Sequence, residues 1–403
     1  MSFVDRIAAD ALVLLIPFFS AFVGWFTNVV AVRMMFHPTE FIGIPPFLGW
    51  QGIIPQNARR LAEMSTQLIL TKLLTLEELF APFRGEAFAK DLEPVTAQVT
   101  DEILDEVATK RAPQLWANAG EVMQGKVRET LEKEVREVAI RIVDDFGANI
   151  TDILDLEKVV VEAVMEDRRL MSVMFRQIGS EEFLFIERSG IWFGFLFGVV
   201  QMAIWIYFPA DYVLPAAGFF VGYATNWVAL KLIFHPKEPV NVLGVRVQGL
   251  FHRRQMEVAA EFSRLTAGKV LNADNITKTI TTGATAVHIE RIVRQHVGDL
   301  IARYEVHPMA AMLVPTDQRE ALREELLGRV VSQLPAEGGL LHTFADKAVD
   351  IQTEIDERMK KLPPDEFEGV LRPAFQQDEW KLILAGAALG LVAGIAQLVY
   401  IFS

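Results

Sequence analysis

Gly24-Trp25-Phe26-Thr27-Asn28-Val29-Val30-Ala31-Val32-Arg33-Met34-Met35-Phe36-His37-Pro38 closes the first long apolar run of the chain. It returns as Gly222-Tyr223-Ala224-Thr225-Asn226-Trp227-Val228-Ala229-Leu230-Lys231-Leu232-Ile233-Phe234-His235-Pro236, at a constant offset of 198. Gly, Thr-Asn, Ala, a basic residue and Phe-His-Pro recur in register. Each copy ends an apolar stretch, so each lies where a membrane helix meets water. Working outward, Ala11 to Val32 carries no charged residue, about the length that spans a hydrocarbon core. A cleaved signal peptide would have a shorter apolar region and a small-residue cleavage site. Here Arg33-Met34-Met35-Phe36 continues the helix, so a retained membrane helix is expected.

Three more spans follow: Gly190 to Phe208, about Tyr212 to Leu230, and Leu382 to Phe402. The second and fourth are also related. Gly190, Gly194, Gly198 and Gln201 match Gly386, Gly390, Gly394 and Gln397 at an offset of 196. The fold expected is all-α, with four transmembrane helices from a tandem, parallel duplication. Each repeat carries a large amphipathic helical insert, and two spans per repeat put both inserts on the same side. The segments read as transmembrane helix 1 (1–38), interfacial loop (39–55), insert 1 (56–188), helix 2 (190–209), helix 3 (212–236), interfacial loop (237–250), insert 2 (251–379) and helix 4 (381–403).

Four-residue glycine spacing forms a groove where another helix backbone approaches closely. Gln201 and Gln397 then need partners inside the bundle. Asn28 and Asn226, beside Thr27 and Thr225, are likewise costly in hydrocarbon. Pseudo-symmetry predicts that the two amides approach each other, or cap matching breaks, at the bundle centre.

In insert 1, Val127, Leu131, Val135, Val138 and Ile142 draw one apolar stripe. Leu322, Leu326, Leu327, Val330 and Leu334 do so in insert 2. Asp152 to Asp155 and Pro315-Thr316-Asp317 read as helix boundaries. No alternating strand pattern of convincing length is seen. Near the membrane the insert side carries Arg33, Arg188, Lys231, Lys237, Arg246 and Lys381, and the positive-inside rule places it in the cytoplasm.

Arg33 and Lys231 sit where a long side chain can reach lipid phosphates. His37-Pro38 and His235-Pro236 end the helices. Gly/Pro-punctuated apolar loops follow, Phe41 to Trp50 and Val240 to Val247, suited to the interface. They resolve into Gln51-Gly52-Ile53-Ile54 and Gln248-Gly249-Leu250-Phe251, and then Arg59-Arg60 and Arg253-Arg254. An anionic headgroup held by Arg33, Lys231, His37 and these arginines is one reading; anchoring of helix ends is the other.

Composition excludes several classes. Of 403 residues 51% are hydrophobic, and mean hydropathy is above zero. A net charge of -13 argues against nucleic acid as partner. Without cysteine there is no disulfide, thiolate nucleophile or zinc-thiolate site. His288 and His296 lie eight apart, without the spacing that puts two metal ligands on one helix face. No catalytic residue, metal site or cofactor is assigned.

The signature resembles the bacterial membrane proteins of domain of unknown function 445. Gly24-x2-Thr27-Asn28-x2-Ala31-x4-Phe36-x-Pro38, then Gly49-x2-Gly52-Ile53-Ile54-Pro55, the second copy from Gly222, and Leu362 to Phe375 carry the likeness. It implies a prokaryotic plasma-membrane protein and no known activity. One departure stands out: His252 occupies the place of Pro55. The expected function is non-enzymatic, a helical body held at the membrane face for lipid or protein binding. The alternatives are a transporter or channel running past Asn28 and Asn226, which as a pore would need a homo-oligomer, and a lipid-modifying enzyme.

Overall fold

The computed structural model describes residues 11–44, 48–73, 75, 76, 78, 90–242, 244–305, 319–333, 351–376 and 379–401. A 3-10 turn, Ala11–Leu15, leads into α1 (Ile16–Phe36). A hairpin of β1 (Ile42–Ile44) and β2 (Leu48–Trp50) follows, then the single turn α2 (Ile53–Gln56) and α3 (Ala58–Leu68). Next come α4 (Glu93–Leu104), α5 (Pro113–Asn118), α6 (Gly120–Ala148), α7 (Ile150–Ile153), α8 (Leu156–Glu166), α9 (Arg168–Ile178) and α10 (Ser180–Tyr207). The second half repeats the opening: α11 (Val213–Phe234), hairpin β3 (Val240–Val242) and β4 (Val245–Val247), the turn α12 (Leu250–Arg253) and α13 (Gln255–Leu265). The rest is α14 (Ala273–Ile280), α15 (Gly283–Glu305), α16 (Arg319–Gln333), α17 (Ile351–Lys361), α18 (Pro364–Gln376) and α19 (Glu379–Ile401). The boundary expected at Pro315-Thr316-Asp317, and Leu334, lie outside the described residues.

The chain divides into two compact units. The first unites Met1–Leu68, Val164–Leu265 and Asp356–Ser403; the second unites Ile69–Ala163 and Thr266–Ile355. Among the described residues, four helices of the first unit are long and apolar enough to cross a membrane: Leu12–Phe36, Ser180–Tyr207, Val213–Phe234 and Glu379–Tyr400. A physical marker brackets three of them. Arg188, Lys231 and Lys381 each stand 19 residues from an exposed tyrosine (Tyr207, Tyr212 and Tyr400). At 1.5 Å per residue that is roughly 28 Å, close to a hydrocarbon core. Cations at one end and tyrosines at the other are the pattern that a bilayer selects.

Inside this unit α1 packs along α10, and α11 along α19; the pairs meet through α10 with α11 and α1 with α19. The glycines make this possible. A Cβ on Gly194 would lie 2.5 Å from the Ser20 carbonyl oxygen, and one on Gly198 would lie 2.7 Å from the Pro17 Cα. Gly24 and Gly190 crowd each other in the same way, as do Gly222 with Gly386 and Gly218 with Gly390, while Gly394 meets Leu214. Backbone touches backbone, so dispersion contact and dipole proximity replace the side-chain knobs of an ordinary helix pair.

The short helices obey the same reciprocity. The segment before α10, α9, packs on α2 and α13; the segment before α19, α18, packs on α12 and α3. Each thus bridges its own half to the other, as in an isologous dimer. The β-hairpins were not expected from the sequence. Their strands have three residues each, too few for a period of two to stand out in a window.

In the second unit the stripe on α6 behaves as its spacing predicts. Val135, Val138, Ile142 and Phe146 are buried, and Val127 and Leu131 are half-buried. Leu322 and Leu326 of α16 pack with Ile103, Val107 and Ile301. His296 is engaged by Asp145 at 2.6 Å.

Candidate functional site

Thr27, Asn28, Thr225 and Asn226 are buried in the helix bundle. Thr27 and Thr225 turn their hydroxyls back to the carbonyls of Gly24 and Gly222 in their own helices. Asn28 Nδ2 donates to the Ile186 carbonyl on α10 (2.6 Å), and Asn226 Nδ2 to the Leu382 carbonyl on α19 (3.1 Å). The amides therefore lock helices within each half and do not bond each other. Inside the bundle the glutamines bond across the halves. Gln201 Nε2 donates to Gln397 Oε1 (3.3 Å), while Gln201 Oε1 accepts from the Ser20 hydroxyl (2.9 Å).

The expected meeting of Asn28 and Asn226 is thus replaced by that of Gln201 and Gln397. The physical reason is position. The asparagines sit beside the glycine seams, where the neighbouring backbone is within reach, whereas the longer glutamines project from α10 and α19 towards each other. Gln201→Leu should cost about 0.5–2 kcal/mol, the range for hydrogen bonds between membrane helices. Adding Gln397→Leu should recover part of it, because the second change removes the amide that the first left unsatisfied. A double-mutant cycle on thermal melting in detergent checks this; strictly additive losses would contradict a direct pair.

Below the helix ends the repeated signature builds a clasp. His37 and His235 leave the helix in extended geometry (φ -134°, ψ 147° and φ -133°, ψ 147°), as residues before proline should. The Gly52 amide then donates to the Pro38 carbonyl (2.9 Å), and the Gly249 amide to that of Pro236 (2.8 Å). Gln51 reaches the Thr39 carbonyl (2.8 Å), and Gln248 that of Lys237 (3.0 Å). Gly52 must lack a side chain, since a Cβ there would meet the His37 nitrogen at 2.8 Å; on Gly249 it would meet the Ile233 oxygen at 2.7 Å. Each loop is closed back onto the end of its helix.

The cations divide. Arg33, His37, Arg59, Lys231 and Arg253 are exposed, and Lys231 stands over the Trp227 ring at 6.0 Å. Arg60 is half-buried. Arg254 is engaged elsewhere, pairing with Glu182 (2.7 Å) and Glu257 (2.8 Å). Glu182 also lines a cavity of about 20 Å³, room for about one water, with Met35, Phe175, Leu230, Ile233 and Phe251.

A further cluster occurs in the second half alone. Lys237 pairs with Glu368 (2.9 Å) and Asp365; Arg372 also pairs with Glu368. Glu368 is 2% exposed. His252 lies 3.8 Å from it, too far for a hydrogen bond. Phe251 stacks on Phe367 at 4.6 Å and completes the wall. The corresponding first-half residues are Thr39, Pro55, Arg169 and Ser172, which cannot form this cluster.

Arg372 also lies over the Phe234 ring (5.7 Å), and Arg176 over Phe36 (5.1 Å). Sequence reasoning passed over this pair and Glu368. The signal was present: Arg176 and Arg372 stand 196 apart, the same offset as the glycines. Among the described residues no group of three or more metal-ligating side chains is gathered.

Burial pushes His252 and His235 below the usual histidine range, with the Lys231 and Arg372 charges adding to the effect at His235. Hydrogen bonding to Lys237 pulls Asp365 below the usual carboxylate range. A depressed histidine favours the folded state while neutral. Its contribution is complete above ~6.5 and is lost as pH falls towards and through the folded value. That of Asp365 persists until pH falls through its own lowered value. Melting in detergent should therefore drop between about pH 7.5 and about pH 5.5, and His252→Phe should flatten that limb. An unchanged slope in His252→Phe would contradict the assignment.

Such a bundle, with its polar groups turned inward, fits comparison with known proteins. The chain is similar to bacterial UPF0754 membrane proteins. It is 43% identical over 65 residues to one from Microcystis aeruginosa, covering 16% of each chain. To one from Synechococcus elongatus it is 31% identical over 130 residues, 31% of each chain. To one from Anoxybacillus flavithermus it is 31% identical over 100 residues, 24% of this chain and 26% of the relative. The aligned part thus spans from about one sixth to under one third of these relatives. Their name states membrane residence and no activity. No family model matches the chain, and no solved structure matches it.

Proposed function

We propose that the chain is a membrane-anchored scaffold, built by tandem duplication and related to the proteins of domain of unknown function 445. In this reading both helical inserts leave the bacterial plasma membrane on its cytoplasmic side. They offer amphipathic surfaces to lipids or to a protein partner, without enzymatic chemistry. The observation that carries it is the use made of the intramembrane amides. Asn28, Asn226, Gln201 and Gln397 are at most 3% exposed and are engaged with backbone or with one another. A transport route needs polar groups that a solute can reach; these are shut inside the bundle, each holding at least one hydrogen bond, although Asn28 Oδ1 and Gln397 Nε2 find none. The exposed cations Arg33, Lys231 and Arg253 are then the groups open to anionic headgroups.

The test is purification in mild detergent with lipid mass spectrometry and a proximity-labelling survey in cells. The scaffold reading expects retained anionic lipid or a reproducible partner. Solute flux in proteoliposomes, abolished by Asn28→Leu with Asn226→Leu, would favour the channel instead.

A further inference from the structure

The two hairpins present an unusual surface. In an antiparallel pair, residues directly opposite share one face and the next pair shares the other. In β3 and β4, Val240 faces Val247 and Val242 faces Val245, while Asn241 faces Arg246. One face is therefore valine and the other polar. In β1 and β2, Ile42 faces Trp50 and Ile44 faces Leu48, with Gly43 opposite Gly49 between them. The phenyl ring of Phe41 lies over Gly49, where a Cβ would stand 2.7 Å from its Cε1. On the apolar side Ile42 is 67% exposed, Ile44 73% and Val245 64%, so among the described residues these side chains are left uncovered.

Their position says what meets that side. Each hairpin begins six residues after a helix long enough to cross the membrane, with α1 ending at Phe36 and α11 at Phe234. The clasps through Gly52 and Gly249 hold it to that helix end. Trp50, on the returning strand, donates from Nε1 to the Met34 carbonyl (3.3 Å), so the first hairpin lies beside the last helical turn. The membrane-crossing helices expose apolar side chains of their own, Phe18 and Phe220 among them. We propose that both hairpins dip into the lipid monolayer on the side from which the inserts emerge, with Ile42, Ile44, Val240 and Val245 among the acyl chains. This rests on the membrane placement proposed above. It adds a site of lipid contact, one per half, that fixes the depth at which α1 and α11 leave the bilayer.

The absence of native cysteine makes the test direct. Single-cysteine variants Ile44→Cys, Val245→Cys, Asn241→Cys, Phe18→Cys and Val122→Cys would carry an environment-sensitive fluorophore in vesicles of phosphatidylcholine and phosphatidylglycerol. Phe18 is an exposed side chain on α1, and Val122 an exposed one on α6. The expected result is blue-shifted emission at positions 44 and 245, quenched by doxyl-labelled lipid several-fold more than at 122, with 241 less affected. Emission at 44 and 245 matching that at 122, while 18 is quenched, overturns the inference and leaves the membrane reading standing. Blue-shifted emission that lipid does not quench also overturns it, and points to a second copy covering the face. If position 18 itself is unquenched, the membrane placement fails and the inference with it.

Discussion

Gly194→Leu is expected to abolish the folded four-helix unit or to destabilise it by more than about 3 kcal/mol, the upper end of ordinary overpacking. The reason is what a side chain would meet. A Cβ would stand 2.5 Å from the Ser20 carbonyl oxygen and 3.0 Å from the Ala21 Cα, both backbone atoms of α1 that no rotamer change can move. The helices would have to separate along the seam, taking with them the Ser20–Gln201 bond and the Asn28–Ile186 bond that depend on the same spacing. Gly125 and Gly328 supply the contrast. Both lie in helices, and nothing stands within 4 Å of a Cβ built there. Alanine at either should stabilise by about 0.5–1 kcal/mol through helix propensity. Thermal melting in detergent, followed by tryptophan fluorescence with size-exclusion chromatography, reads all three. A Gly194→Leu protein that melts with its parent would refute backbone contact along the seam.

Lys237→Met combined with Arg372→Met is expected to cost about 3–5 kcal/mol, because it strips both counter-charges from a carboxylate with almost no access to water. Glu368 is 2% exposed, and these two cations are its ion-pair partners apart from the more distant His252. Removing the buried charge as well should reverse most of the loss. The triple variant with Glu368→Met replaces an ionic cluster by apolar groups of similar size, a change that is often neutral or better. Either cation alone should be milder, since Glu368 keeps the other. A triple variant no more stable than the double would show that Glu368 is not the group carrying the effect. The cluster ties α18, just before α19, to the loop just after α11, so its rupture should loosen the second half first. Hydrogen exchange in α18 would report that difference between the halves.

Much of this was legible in the residues. The offsets of 198 and 196 marked α11 as a sequence repeat of α1 and α19 as one of α10, and the four-residue glycine spacing of α10 and α19 marked a face for close backbone approach, a need that is written locally. The helix ends at His37-Pro38 and His235-Pro236 were legible for the same reason, proline acting on its own neighbour. The apolar stripe on α6 followed from period alone.

Other features depended on which surfaces come together. Whether Asn28 meets Asn226 or the Ile186 carbonyl depends on helix rotation, which a symmetric repeat leaves open. The role of Gln51-Gly52 became visible only when the loop was seen to return to Pro38 and Thr39, because a backbone clasp leaves no periodic trace. Glu368, Lys237 and His252 lie in three separate stretches, and their meeting is a property of packing between α18, α12 and the end of α11. The sequence by itself determined the helices and their exits, since propensity, period and proline act over a few residues. Only the tertiary structure decided which polar groups bond across the bundle, and that the second half gathers Lys237, Asp365 and Arg372 about Glu368. Those choices turn on distances between segments that the chain order does not specify.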